Sequence, residues 1–166
     1  MLMEERPGDP RALGAVDRAQ RLARAGIEET AQAVAALRGE SPPGPDSVPR
    51  LVRQFETETG VRSRFEIVGE RVPVSPEAGV AIYRTAQEAL TNIRRHADAT
   101  EVTVRLVYGA ERGIELTVSD LGRPKPSLAS SGYGLTGIGE RAALLGGRFE
   151  SGSMPGGFQV RLWVPA

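Results

Sequence analysis

Three short stretches of this sequence carry residue types that could do chemistry together. In the first, Gln87-Glu88-Ala89-Leu90-Thr91-Asn92, a carboxylate and an amide stand four residues apart. On a helix that spacing stacks their oxygens one turn apart, which is half of a hard-cation site. Mg2+ takes oxygen ligands and completes its shell with water and phosphate oxygens, so one protein oxygen from Asn92 suffices if a nucleoside triphosphate supplies the rest. In the second stretch, Asp120-Leu121-Gly122 follows an alternating run. An ionised carboxylate only accepts hydrogen bonds, which suits an exocyclic amino group such as that of adenine, and Gly122 lets a flat base approach the main chain. The third is Gly132-Tyr133-Gly134-Leu135-Thr136-Gly137-Ile138-Gly139, leading into a helix. Small residues there admit phosphates to main-chain N–H groups that carry the positive end of the helix dipole.

Each stretch, taken alone, is also an everyday feature: a solvated helix face, a turn after a strand, a flexible loop. Asn92 presses the matter further, because Asn in a helix interior costs about half a kcal/mol against Ala and a merely wet face offers no return for it. The Gly-x-Gly-x-x-Gly inside the third stretch belongs to dinucleotide folds only when a strand precedes it and an acidic residue follows about 20 positions later. Here Pro124-Lys125-Pro126-Ser127 precedes it and Gly157 stands at that distance, so the dinucleotide reading fails. No Gly-x-x-x-x-Gly-Lys-Ser/Thr phosphate loop is present.

The elements that must position these residues are legible in the patterning. Ser75-Pro76-Glu77 supplies a cap, a first-turn proline and an acidic first turn for a helix running to about His96. Its apolar face is Ile82, Ala86, Ala89, Leu90, Ile93 and Ala97, and Thr85, Glu88, Asn92 and Arg95 are expected on the polar side. Upstream, Asp46 or Ser47 is placed to cap a helix ending near Thr59, and Arg62 to Val68 alternates as a strand. Glu101 to Tyr108 and Gly113 to Asp120 form a predicted antiparallel hairpin, with Leu121 to Ser131 a loop. A helix from about Thr136 to Leu145 and a hairpin of Arg148 to Ser151 with Phe158 to Val164 close the chain. Strand pairs with helices between them predict an α/β two-layer sandwich, a mixed and mostly antiparallel sheet with helices on one face.

Before this lies a different pattern. Leu13, Val16, Gln20, Ala23, Ile27, Thr30, Val34 and Leu37 recur at spacings of three and four, a seam suited to pairing one long helix with another. Gly39 and Ser41-Pro42-Pro43-Gly44-Pro45 interrupt it. The expected division is residues 1–40 as the long helix, 41–46 as linker and 47–166 as the domain with the three stretches.

Composition excludes several classes. The 166 residues carry zero net formal charge and no Lys/Arg cluster, which argues against a nucleic-acid partner. No apolar run reaches the ~18–20 residues that span a bilayer, so a soluble cytoplasmic chain without direct membrane contact is expected. Cysteine is absent and His96 is the only histidine, which removes thiolate and poly-histidine metal sites.

Taken together and in this order, the three stretches resemble the nucleotide-binding boxes of the histidine kinase, gyrase and Hsp90-type ATPase superfamily, whose fold is the Bergerat type. More narrowly, Gln87 to Ala97 looks like the asparagine box of nitrate-sensor-type two-component sensor histidine kinases, and Gly134 to Ala142 looks like their second glycine box. Arg18 to Arg38 looks like the second helix of that family's dimerisation and phosphotransfer hairpin. The resemblance implies ATP and Mg2+ as ligands, with Asn92 on the metal and Glu88 ordering a metal-bound water or acting as base. It implies Asp120 and Gly122 at the adenine, Gly132, Gly134, Leu135, Thr136 and Gly137 around the phosphates, and Leu121 to Ser131 as a lid. Arg95, with Arg123 and Lys125 behind it, would add positive charge.

The implied activity is transfer of the γ-phosphoryl group of ATP to a histidine nitrogen, with a response regulator downstream and a homodimer as the full-length state. Leu121 and Pro124 depart from the family's pattern after the aspartate, where a polar residue and a glycine are usual. The hairpin helix bearing the acceptor histidine has no counterpart before Arg11, and His96 reads as a helix-end residue, so the acceptor is expected on a segment outside this chain. A nucleotide-binding regulator without kinase activity, comparable to an anti-sigma factor of the same fold, is the alternative.

Overall fold

Alternation of buried and exposed residues along the strands divides the sheet into two unlike faces. In this computed structural model, which describes residues 26, 30, 42–124 and 133–166, five strands are ordered β1-β2-β3-β5-β4. They are β1 (Arg62–Val68), β2 (Ala97–Ala110), β3 (Gly113–Pro124), β4 (Arg148–Met154) and β5 (Gly157–Pro165). β1 runs parallel to β2 and every other pairing is antiparallel, so the sheet is mixed and mostly antiparallel as the patterning predicts. Val104, Val118 and Val160 face one another across three strands, as do Leu106, Leu116 and Leu162, and all six are buried. The other face bears the ion pairs Arg64–Glu101 at 3.4 Å, Arg105–Glu66 at 3.9 Å and Arg161–Glu115 at 3.8 Å. Such half-exposed pairs contribute ~0–1 kcal/mol each, so the apolar face carries the stability.

Three helices cover that apolar face. Val48, Val52 and Phe55 form the buried stripe of α1 (Val48–Thr59), which packs beside β1 and ends where Gly60 turns left-handed at φ 71°. Ser47 precedes it with helical angles and no side-chain cap; a 3-10 turn over Pro45–Ser47 feeds the helix instead of the expected Asp46 or Ser47 cap. α2 (Pro76–His96) does begin as its sequence indicates, the Ser75 hydroxyl accepting the Ala78 N–H at 3.1 Å. It lies across β2, β3 and β5, while α3 (Tyr133–Leu144) lies on β4 and β5. Ile82, Ala86, Ala89, Leu90 and Ile93 meet the sheet valines and leucines in one continuous core.

Several boundaries differ from the sequence reading. β2 starts at Ala97, directly at the end of α2, and not at Glu101. β3 continues through Leu121 to Pro124 because Ala97, Asp98, Ala99 and Glu101 pair with it, so the expected loop loses its first residues. α3 begins at Tyr133, ahead of Thr136. β4 runs on to Met154, past Ser151. The chain divides into two compact units, Met1–Pro42 and Pro43–Ala166. Of the heptad seam only Thr30 is described; it is helical, its hydroxyl donating to the Gly26 carbonyl at 2.8 Å, and the rest lies outside the described residues. No helix among the described residues is long and apolar enough to cross a membrane.

The two-faced sheet makes a direct prediction. Leu116→Ala should destabilise the protein by ~2–5 kcal/mol in urea denaturation, whereas Thr117→Ala on the opposite face should stay within about 0.5 kcal/mol. Similar losses at both positions would contradict the assignment of faces.

Candidate active site

Topology brings the first two stretches to one end of the domain. α2 reverses into β2 without a loop, Ala97 already being extended at φ −123° and ψ 140°. The last turns of α2 therefore lie over the start of β2. Antiparallel pairing sets the end of β3 and the start of β5 beside them, with Val102, Asp120 and Phe158 side by side across three strands. Gly147, just past α3, packs on Trp163 and Val164 at the far end of β5.

The flanks of α2 are equally determined. Nη1 of Arg94 lies 3.1 Å from Glu58 of α1, which turns that flank toward α1. Thr85, Glu88 and Asn92 lie on the other flank by helical periodicity, toward α3. Glu88 and Asn92 are half-buried and Arg95 is exposed. Thr85, expected on the polar side, is instead 1% exposed. Its place at the shoulder of the helix is covered once α3 and the sheet are present, something helix periodicity alone does not register.

Asp120 and Thr85 are the buried polar or charged side chains among the described residues. Asp120, 3% exposed, lies on the helix-covered face of β3, in the same row as Val102. Burial raises its carboxyl above the usual carboxylate range, and the Phe158 main-chain N–H, donating to the carboxylate, partly offsets the rise. One N–H leaves lone pairs on the two oxygens for a further donor. Gly122 and Gly157 are both required by close backbone approach: a Cβ on Gly122 would overlap the Asp98 carbonyl and Ala99, and one on Gly157 would overlap the Asp120 carbonyl. The Gly122 N–H also donates to the Gly156 carbonyl at 2.8 Å, which ties the turn before β5 to the end of β3.

Gly134, Leu135, Thr136 and Gly137 all lie within α3, not ahead of it. The N–H groups of Gly134 and Leu135 fall in the first turn, where a helix leaves its donors unused, while that of Gly137 falls within the ladder. The helix holds its glycines because Ile138 and Ala142 are buried beneath it, and a Cβ on Gly139 would stand 3.6 Å from the Phe149 ring. Gly132, Lys125 and the remainder of the expected lid up to Ser131 lie outside the described residues. Arg123 is exposed and paired opposite Asp98 in the sheet. Phe158 and Gly157 were missed by sequence reasoning; the signal available was Pro155-Gly156-Gly157, which reads only as a hairpin turn.

The donor chemistry fits magnesium delivered with a nucleotide. No group of three or more His, Asp or Glu side chains able to hold a metal occurs among the described residues, so an all-protein cage is absent there. An amide and a carboxylate one turn apart suit an ion whose remaining ligands are phosphate and water.

Comparison with known proteins identifies the family. Residues 77–166 match the profile of the histidine kinase-, DNA gyrase B- and HSP90-like ATPases. The chain belongs to this ATPase family. Among relatives, the sensor histidine kinase YxjM of Bacillus subtilis is 36% identical over 132 residues, covering 77% of this chain and 32% of that protein. The sensor histidine kinase LnrJ of the same organism is 33% identical, covering 78% of this chain and 33% of that protein. This chain thus spans about a third of the length of these relatives. Among solved structures, the histidine kinase domain of the blue-light activated kinase EL346 of Erythrobacter litoralis superposes with a TM-score of 0.53 at 21% identity, covering 71% of this chain and 58% of that one. The mycobacterial sensor histidine kinase MprB gives 0.54 at 18%, covering 72% and 93%. The two-layer ATPase fold is shared with both.

A carboxyl whose folded pKa is raised stabilises the fold while protonated. That contribution is complete below the unfolded carboxyl value of about 3.9 and is lost as pH rises through the higher folded value. Asp120→Asn should therefore stabilise the ligand-free protein at pH 7 by about 1 kcal/mol, with the gap to wild type narrowing as pH falls toward 4. Urea midpoints of both proteins across that range test this; a gap that stays constant would show that the carboxyl charge is not its cause.

Proposed function

We propose that this chain is the ATP-binding catalytic part of a two-component sensor histidine kinase, of the nitrate-sensor type suggested by Gln87 to Ala97 and Gly134 to Ala142. What supports the reading is the buried Asp120 at the sheet end over which the last turns of α2, with Glu88 and Asn92, lie. Two of the similar proteins are named sensor histidine kinases, which supports the same assignment.

In this reading Asp120 accepts a hydrogen bond from the adenine amino group. A bond to a charged group inside a buried site contributes about 1.5–3 kcal/mol, enough to select adenine over a 6-oxo purine. Gly122 lies close by in the main chain. Asn92 offers its amide oxygen to Mg2+, which when bound neutralises phosphate charge. The N–H groups of Gly134 and Leu135 face the phosphates, with Gly132, Thr136 and Gly137 completing that side, and Arg95 adds positive charge at the rim. Glu88 would order water at the metal or take the imidazole proton as the acceptor nitrogen bonds to the γ-phosphorus and ADP departs with the β–γ bridging oxygen. Positioning and charge stabilisation provide most of the acceleration in such a transfer.

The acceptor belongs to a histidine-bearing hairpin helix, of which residues 1–40 form the second helix and 41–46 the link to the catalytic domain, residues 47–166. A response regulator then receives the phosphoryl group, the full-length kinase is a homodimer, and this portion acts on the cytoplasmic side.

Calorimetric titration with a non-hydrolysable ATP analogue should show Mg2+-dependent binding that weakens at least about tenfold in Asn92→Ala. Glu88→Gln should bind within about threefold of wild type yet lower phosphoryl transfer to a supplied hairpin by about 100-fold or more. Binding that ignores both Mg2+ and Asn92, with no transfer, would replace the kinase by a nucleotide-holding regulator.

A further inference from the structure

On the helix-covered face of β5, Val160, Leu162 and Val164 are all buried in the core. Phe158 continues that row to its end and breaks the pattern: it is 37% exposed where the other three are almost wholly covered. Directly opposite it stands Asp120 on β3, and Ser153 faces it from β4. Paired residues on adjacent antiparallel strands project to the same face, so the Phe158 ring and the Asp120 carboxylate stand side by side. They are also joined through the main chain, because the Phe158 N–H donates to that carboxylate. Gly157, which admits no Cβ against Asp120, sets how closely the two strands approach here.

A carboxylate reads one edge of a base and leaves its two flat faces without cover. Aromatic rings supply that cover with little regard to which base is present. The geometry points to Phe158 as the apolar wall for the base: a specificity-determining residue that packs the adenine ring while its own N–H orients the carboxylate that reads the amino group. This rests on the adenine-nucleotide reading above. It divides recognition in two, the ring surface gripped by Phe158 and the exocyclic amino group by Asp120.

The test titrates the full chain, Phe158→Ala and Phe158→Trp with ATP, with inosine triphosphate and with ribose 5-triphosphate, which has no base. Phe158→Ala should weaken ATP and inosine triphosphate about tenfold each and leave ribose triphosphate within about twofold. Phe158→Trp should keep ATP within about threefold, and circular dichroism should report an unchanged fold in both variants. ATP bound equally by wild type and Phe158→Ala would overturn the assignment to Phe158 while leaving the nucleotide reading intact. Equal weakening of the base-free triphosphate would also overturn it, since the loss would then not arise at the base. A wild-type chain that binds none of the three removes the nucleotide reading and this inference with it.

Discussion

Holding the Asp120 carboxylate on the apolar face of a sheet is the constraint around which the rest of this domain is arranged. Removing an ionised group from water costs several kcal/mol unless protein donors replace the lost hydration. Among the described residues the Phe158 N–H is such a donor, and one N–H does not fill the acceptor capacity of two oxygens. The neighbourhood is built to permit this. Gly122 and Gly157 bring three strands closer than side chains would allow, and the Gly122 N–H to Gly156 carbonyl bond ties the strand ends together. A buried charge that is only partly satisfied is a poor stabilising device and a good recognition device, which is the trade expected of a binding site.

The stability that tolerates this arrangement comes from elsewhere on the same surface. Val102, Val104, Leu106, Ile114, Leu116, Val118, Val160, Leu162 and Val164 are buried against three helices, while the opposite face is left to ion pairs and to Arg148 stacked 4.5 Å over Trp163. Gly44 and Asp46 lie at the other end from Asp120. Gly44 packs on Gly79 near the start of α2, and Arg71 pairs with Asp46 beside Tyr108, whose hydroxyl is pushed up mainly by burial. The core thus separates the end bearing Gly44 and Asp46 from the end bearing Asp120.

Mixed parallel and antiparallel pairing follows from α2 itself. Because it reverses straight into β2, it carries the chain from β1 back to a parallel neighbour and delivers its own last turns above the sheet end that bears Asp120. The same helix serves as core element on one side and as carrier of Glu88 and Asn92 on the other. Its basic last turn, Arg94, Arg95 and His96, complements the negative end of the helix dipole.

What the sequence determined by itself was local and periodic. The onset of α2 at Ser75-Pro76-Glu77, the alternation of β2 and β3, the helix-covered sheet and the order of the chemistry-bearing stretches were all legible, because caps and hydrophobic periods act over a few residues. Tertiary structure decided the rest. The extension of β3 to Pro124 depends on Ala97 to Ala99 arriving beside it, and burial of Thr85 depends on what lies against that shoulder of α2. Helix at Gly134 depends on the packing of Ile138 and Ala142, and the partnership of Asp120 with Phe158 joins residues far apart in the chain. Local pattern fixes which conformation a segment favours; only the sheet register and the packing of the helices settle which side chains end up sharing a site.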